Sequence, residues 1–550
     1  MPSTDSKGAI SESTTASPII RTPPGSLLPP LTTSHLPYEI MTAIFEALIH
    51  LDPTGHDTVV TRIPFPSEPR DTTSPNLGWI RVTHVCKLWR HIALSYSYLW
   101  RYISFSLGEE WTAHMFARSK SAPISVNSVV SYSFCKLTPR ARDLVILHIP
   151  HTSRLSLNGA DTTTREIVNA LNFPAPLLNR LEITFPSGAE YMQASTSDPL
   201  PPNFLGGDAP LLRHLALHYD ANPWTSPILT NLVSLDLRSQ DEVPTDTPPS
   251  LEEVLDALGR MKNLERLTLA HVLPLNKPIP LHITVTLPYL HSLNLQGGAA
   301  ECDGLVQRLQ FPDSARVTIV MGYAVGDTQA DFMSFLPIAA AAMCLRREQD
   351  DPTPRPIMLL ESNGYNAVAL KVSRDHHSFQ HLPDIDFKIF CWSFIGPQNA
   401  ATPLARMACD TFILESLQEL TISFGGPQLA DVCAALWQSI SRRAPRLWHV
   451  VTGGLLGVEL CAALGTEPAS FMPALSCLEL TNTGFDVQRL DSRSGQTFDL
   501  NDALPRWLEA RSITHIPLEI LCLRGCRESI ECAARLEEVV DLLDDGGSDE

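Results

Sequence analysis

Two periodicities divide the chain. Near the N-terminus, Leu36, Ile40, Ile44 and Leu48 recur at helical spacing with Met41 and Phe45 beside them, which predicts a helix with one continuously apolar face. Pro37 suits its first position, and the Glu39 carboxylate falls in the first turn, where it favours the helix dipole. A second helical pattern runs through Val85, Trp89, Ile92 and Tyr96, after a segment carrying Trp79, Ile80 and Val82. Such a small bundle has more apolar surface than it can bury in itself, which predicts a partner.

From about residue 177 the rhythm changes to Leu-x-x-Leu-x-Leu or Leu-x-x-Leu-x-Ile. It occurs at Leu178/Leu181/Ile183, Leu212/Leu215/Leu217, Leu232/Leu235/Leu237, Leu264/Leu267/Leu269 and Leu290/Leu293/Leu295. It returns at Leu417/Leu420/Ile422, Leu475/Leu478/Leu480 and Leu518/Leu521/Leu523. The last two apolar residues of each motif, two apart, point to one side of a short strand, and the first turns the chain into it. Leu144/Leu147/Ile149 fits a helix end instead, and Arg154 to Leu157 reads as a first strand without the leading leucine. Returning segments must cover the apolar side. Helix candidates are Leu251 to Met261, opened by a Ser250/Glu253 capping box, Leu429 to Arg442, and Asp502 to Arg511. The stretch 311–416 breaks the rhythm, with possible strands at Arg316 to Val320, Ala367 to Val372 and Asp386 to Phe390.

The N-terminal pattern resembles the F-box, the adaptor-binding module of cullin-type ubiquitin ligases. Matching positions are Leu36, Pro37, Ile40, Ile44, Phe45, Val85, Cys86, Trp89, Leu99 and Trp100. The resemblance implies that these residues build the module and its contact with a Skp-type adaptor, and through it a cullin. A departure is the proline-rich insertion 52–75, where the family usually runs directly into its next helix. The leucine motif resembles the leucine-rich-repeat family, also with departures. Its step varies from Leu215–Leu235 to Leu478–Leu521, and the Asn or Cys expected after each strand is mostly missing, with Pro186, Asp220 and Gln240 among the residues found there. The ladder of buried polar side chains along the turns should therefore be weak. Strand, turn and helix units of this kind stack into a parallel solenoid whose open face displays the residues flanking the strand leucines. Candidate target-binding residues there are Arg180, Glu182, His218, Asp236, Arg238 and Arg266, with His214, Asn294, Glu419 and Glu479 in equivalent places. They mix signs and sizes, so no class of target stands out.

The expected fold class is α+β, a small all-α module followed by an irregular leucine-rich-repeat α/β solenoid. The expected divisions are a Ser/Thr/Pro-rich leader at 1–34, the module at 35–105, a connecting segment at 106–150, the solenoid at 151–540 and an acidic tail at 541–550. Chains of 550 residues exceed one compact core, which fits such a division. The formal net charge of -19 works against nucleic-acid binding, which needs a basic face to release counterions. Twelve cysteines without a regular framework fit a reducing compartment, and neither a signal core nor a membrane-spanning run is seen, so the expected location is intracellular, in cytoplasm or nucleus. No phosphate-binding glycine motif, metalloprotease motif or paired-cysteine zinc motif occurs, and Gly453-Gly454-Leu455-Leu456-Gly457 fits a turn. His376, His377 and His381 beside Asp375 fit a solvated loop better than a metal site. No catalytic residue, metal or other cofactor is therefore expected. The function implied is substrate recognition within a cullin-type SCF ubiquitin ligase, the module holding the adaptor and the repeats holding a target protein. The alternative is a non-catalytic interaction scaffold outside ubiquitination.

Overall fold

A computed structural model of the chain describes residues 36–54, 77–127, 138–159, 162–185, 200–201, 203–219, 221–239, 249–274, 283–312, 315–321, 357–362, 367–373, 387–392, 417–424, 430–466, 470–486, 488–490, 497–514 and 516–544. The leader at 1–34, most of the insertion at 52–75, the three histidines near 376 and the chain end from 545 lie outside the described residues. Two compact units emerge, Met1–Leu99 and Trp100–Glu550.

In the first unit, α1 (Tyr38–Leu51), a 3-10 helix (Gly78–His84) and α2 (Lys87–Ser95) pack together. Met41, Phe45 and Ile49 recur at i, i+4 and i+8 on α1 and are buried, as are Trp79, Ile80, Val82 and Ile92. The Phe45 and Trp89 rings meet at 5.3 Å, and the Tyr96 hydroxyl donates to Glu46 Oε1 at 2.6 Å, fixing α1 against α2. Gly78 must be glycine. Its φ is +55°, and a Cβ there would fall 2.2 Å from the Pro53 carbonyl oxygen.

The second unit mixes helices with one 17-stranded sheet. Its strands are β1 (Tyr102–Ser104), β2 (Ile124–Asn127), β3 (Thr152–Asn158), β4 (Arg180–Thr184), β5 (His214–His218), β6 (Ser234–Arg238), β7 (Arg266–Ala270), β8 (Ser292–Gly297) and β9 (Arg316–Met321). They continue as β10 (Ile357–Ser362), β11 (Ala367–Ser373), β12 (Phe387–Trp392), β13 (Glu419–Phe424), β14 (His449–Gly453), β15 (Cys477–Thr481), β16 (Ile520–Arg524) and β17 (Asp541–Asp544). All eight leucine motifs end in a strand (β4 to β8, β13, β15 and β16), and the motif residues of each are buried. From β1 to β9 each strand pairs in parallel with the next, as do β13 to β17. Between the two runs the order inverts. β9 pairs in parallel with β12, β12 and β11 are antiparallel, β11 and β10 are antiparallel, and β10 joins β13 in parallel. The three strands expected in 311–416 are present, and the break in rhythm there coincides with the inverted order.

Two expected boundaries move. The sheet starts at β1 rather than at 151, because Ile103, Ile124 and Val126 bury on its apolar side and the segment 106–150 contributes β2 besides α3 (Glu109–Ser119) and α4 (Pro139–His148). It ends at Asp544 rather than 540, because Leu542 and Leu543 pair with Leu521 and Cys522 despite the acidic surroundings. Further helices are α5 (Thr162–Ala170), α6 (Leu251–Arg260), α7 (Ala299–Val306), α8 (Ala430–Arg443), α9 (Gly454–Thr466), α10 (Leu500–Ile513) and α11 (Ile530–Glu537). Ser250 Oγ accepts from Glu253 N at 3.2 Å while Ser250 N donates to Glu253 Oε2 at 3.0 Å, the reciprocal cap expected for α6. The glycine cluster is a strand-to-helix junction, Gly453 ending β14 and Gly454, at φ +55°, opening α9.

Backbone, not a side-chain ladder, ties neighbouring strands at their entrances. The carbonyl of Asn179 accepts from Arg213 N and His214 N, that of Arg213 from Val233 N and Ser234 N, and that of Val233 from Glu265 N and Arg266 N. Glu265, Gln418, Trp448 and Ser476 repeat the arrangement. These shared acceptors satisfy the backbone donors at each strand entrance. Near the C-terminal end, the buried Arg511 guanidinium donates to the carbonyls of Phe471 (2.8 Å), Met472 (2.7 Å) and Leu475 (3.3 Å), pinning α10 to the turn that enters β15.

Candidate functional site

Each unit offers a surface of its own. On α1, the face opposite Met41 and Phe45 carries Ile40, Ile44, Ala47 and Leu51, at spacings of i, i+4, i+7 and i+11. Ile40 is 48% and Ile44 40% exposed, so the helix is apolar on two sides, not on the single face its sequence suggested. Val85 and Leu88 at the start of α2 are exposed as well, and Cys86 caps that helix, its Sγ accepting from Trp89 N at 3.4 Å. Exposed apolar side chains concentrated on one small unit mark an interaction surface.

The ten expected adaptor residues therefore divide. Pro37, Ile40, Ile44, Val85 and Cys86 are exposed, and Leu36 and Trp89 are half-buried. Phe45, Leu99 and Trp100 are fully buried and so belong to the part of the expected set that builds the fold. Trp100 belongs with the second unit, its ring lying 4.5 Å from the Arg118 guanidinium. Leu51 and Leu88 were missed by the sequence reading, although the i+4 and i+11 steps from Ile40 carried the signal for Leu51.

In the second unit, all six candidate target residues lie on one sheet face, opposite the buried leucines of β4 to β7. Asp236 is their electrostatic centre. Arg238 donates from Nε to Oδ1 at 2.8 Å and from Nη2 to Oδ2 at 3.0 Å, and His218 Nε2 stands 3.5 Å from Oδ2, an ion-pair distance. Burial alone would raise the Asp236 carboxyl, but the adjacent His218 and the Arg238 hydrogen bonds outweigh it and hold it below the usual carboxylate range. Thr184 Oγ1 and His218 Nδ1 are 3.2 Å apart, extending the cluster to β4.

Register sorts this face into rows. One row crosses β3 to β9 as Arg154, Arg180, His214, Ser234, Arg266, Ser292 and Arg316. The next row holds Ser156, Glu182, Ala216, Asp236, Thr268, Asn294 and Thr318. Arg154 and Arg316 were outside the sequence candidates because neither flanks a complete leucine motif. In the second parallel run, Glu419, His449 and Cys477 are register neighbours, and His449 Nδ1 lies 3.8 Å from Glu419 Oε2. The neighbouring Cys477 and then Glu419 side chains, against the opposing effect of burial, push the His449 imidazole up to about 9.

The described helices of the first unit fall within a known domain. A family model described as F-box-like matches residues 33–106, so the chain carries an F-box-like domain. Domains of this family typically bind Skp-type adaptors, which supports that kind of partner for this chain. No curated relative matches the chain. Among the described residues, no helix is long and apolar enough to cross a membrane.

Proposed function

We propose that this chain is the substrate-recognition subunit of a cullin-type SCF ubiquitin ligase. Its F-box-like domain would hold the Skp-type adaptor through Ile40, Ile44, Leu51, Val85 and Leu88, with Pro37 and Cys86 at the margin. The second unit acts as an irregular leucine-rich-repeat array whose open sheet face receives the target. The chain performs no chemistry of its own, and works by raising the concentration of target lysines near the ubiquitin donor. The observation that carries this reading is the exposed apolar stripe on α1 inside the segment matched as F-box-like.

Capture of a purified Skp-type adaptor tests it. Ile44→Asp places a charge in the stripe while leaving the buried face untouched, so capture should fall more than about a hundredfold with little change in melting temperature. Undiminished capture by the folded variant removes the assignment. Recovery of the adaptor without a cullin would favour the scaffold outside ubiquitination.

A further inference from the structure

We infer that the open face of β3 to β9 is a docking strip for an extended, glutamate- and aspartate-rich segment of the target, seated along Arg154, Arg180, His214, Arg266 and Arg316. The inference rests on the reading of this face as the target surface and adds the chemistry of what it holds.

Three observations converge. Parallel register sets Arg154 directly against Arg180, with His214 beside Arg180 on the next strand. Like charges on adjacent strands, as at the Arg154–Arg180 pair, about 4.8 Å apart, are unfavourable within a sheet. The row acts as a unit, because burial and then the charges of Arg180, Arg266 and Arg154 hold the His214 imidazole below its ordinary range, with Glu265 opposing them. Finally, its sign is opposite to that of the chain, whose net charge is -19. Local cationic character on an acidic molecule is a steering device for anionic partners and repels the bulk of basic ones.

Geometry favours a peptide over a nucleic acid. At about 4.8 Å per strand, the span from Arg154 to Arg316 is about 29 Å, the reach of roughly nine extended residues at 3.3 Å each. The neighbouring row interposes carboxylates, with Glu182 Oε2 3.8 Å from Arg180 Nη2 and Asp236 held by Arg238 and His218. A continuous phosphate backbone would meet these carboxylates and Glu265, whereas a peptide with alternating acidic residues can turn its polar neutral side chains toward them. The serines Ser234 and Ser292 interrupt the cations, which also suits spaced carboxylates better than an unbroken polyanion.

The test uses the full chain and a fluorescein-labelled nonapeptide of alternating Glu and Ser, read by anisotropy at low and at physiological salt. The peptide should bind, more weakly as salt rises, and its Lys/Ser counterpart should not. R180Q/R266Q should weaken binding at least about tenfold, R180K/R266K should retain most of it, and R180E/R266E should abolish it. These positions are exposed, so melting temperatures should barely move, and each variant should still capture the Skp-type adaptor. No peptide binding, binding by R180E/R266E within about twofold of the wild type, or tighter binding of a single-stranded oligonucleotide would overturn the inference while adaptor capture persists. Peptide binding in a chain that captures no adaptor would overturn the ligase reading instead and leave the acidic-segment strip standing.

Discussion

Adjacent residues in this protein carry opposite duties. Ile44 faces outward on α1 and Phe45 inward against Trp89, although both belong to the same apolar run in sequence. Phe45→Ala should therefore destabilise the first unit by about 3–5 kcal/mol, a loss read by thermal melting, whereas the Ile44 variant acts on capture alone. Such a run reveals that a helix is amphipathic or more than amphipathic, but which apolar stripe meets the core depends on where α2 packs, and that is a tertiary fact. His449 illustrates the same limit. Its sequence neighbours give no hint of Glu419 and Cys477, which register brings to its two sides. Its raised pKa means that the folded state binds the proton more tightly than the unfolded chain. The stabilisation is complete below about pH 6.5 and drains away as pH rises through about 9, worth roughly 1–2 kcal/mol after allowance for partial exposure. Denaturant titrations at pH 6 and pH 9.5 should show this loss, and His449→Gln should flatten it. An unchanged slope in that variant would place the pH dependence elsewhere.

Strands were the most legible elements, because a period of two with buried leucines leaves a strong mark, and each of the eight motifs from residue 178 onward became one. Leu235→Asp should cost several kcal/mol by burying an unpaired charge beside Leu237. The polar partner in that strand is less indifferent than its exposure pattern suggested. Asp236 holds both Arg238 and His218, so Asp236→Ala should cost about 1 kcal/mol rather than nothing, and melts of the two variants should rank in that order. Helix contacts were less legible, and glycines mark where. Gly465 on α9 is so close to α10 that a Cβ would lie 2.4 Å from ring atoms of Trp507, whereas a Cβ on Gly259 in α6 meets nothing within 4 Å. Gly465→Ala should destabilise by about 1–3 kcal/mol, and Gly259→Ala should stabilise by up to about 1 kcal/mol through helix propensity. Equal effects in chemical denaturation would contradict the packing of α9 on α10. The strand entrances were also illegible, since they are tied by backbone carbonyls that no residue type announces.

For the whole molecule, the change from helical to strand periodicity was readable in the sequence, while the order of strands in the middle was not, since periodicity is silent about which strand lies beside which. Charge has the same character: the total of -19 is visible in the sequence, yet the cationic row exists only after register aligns residues drawn from separate repeats. The inverted order between β9 and β13 bears on how the chain reaches this state. Within either parallel run, each new strand adds to its sequence neighbour, so growth can proceed like a zipper at low loop-closure cost. At the inversion, Val317 must wait for Phe387, and Ile357 for Glu419, before either pairing is possible. Sequence-distant pairings thus gather at the inversion, and it is there that pairing is expected to come last, after the runs on both sides.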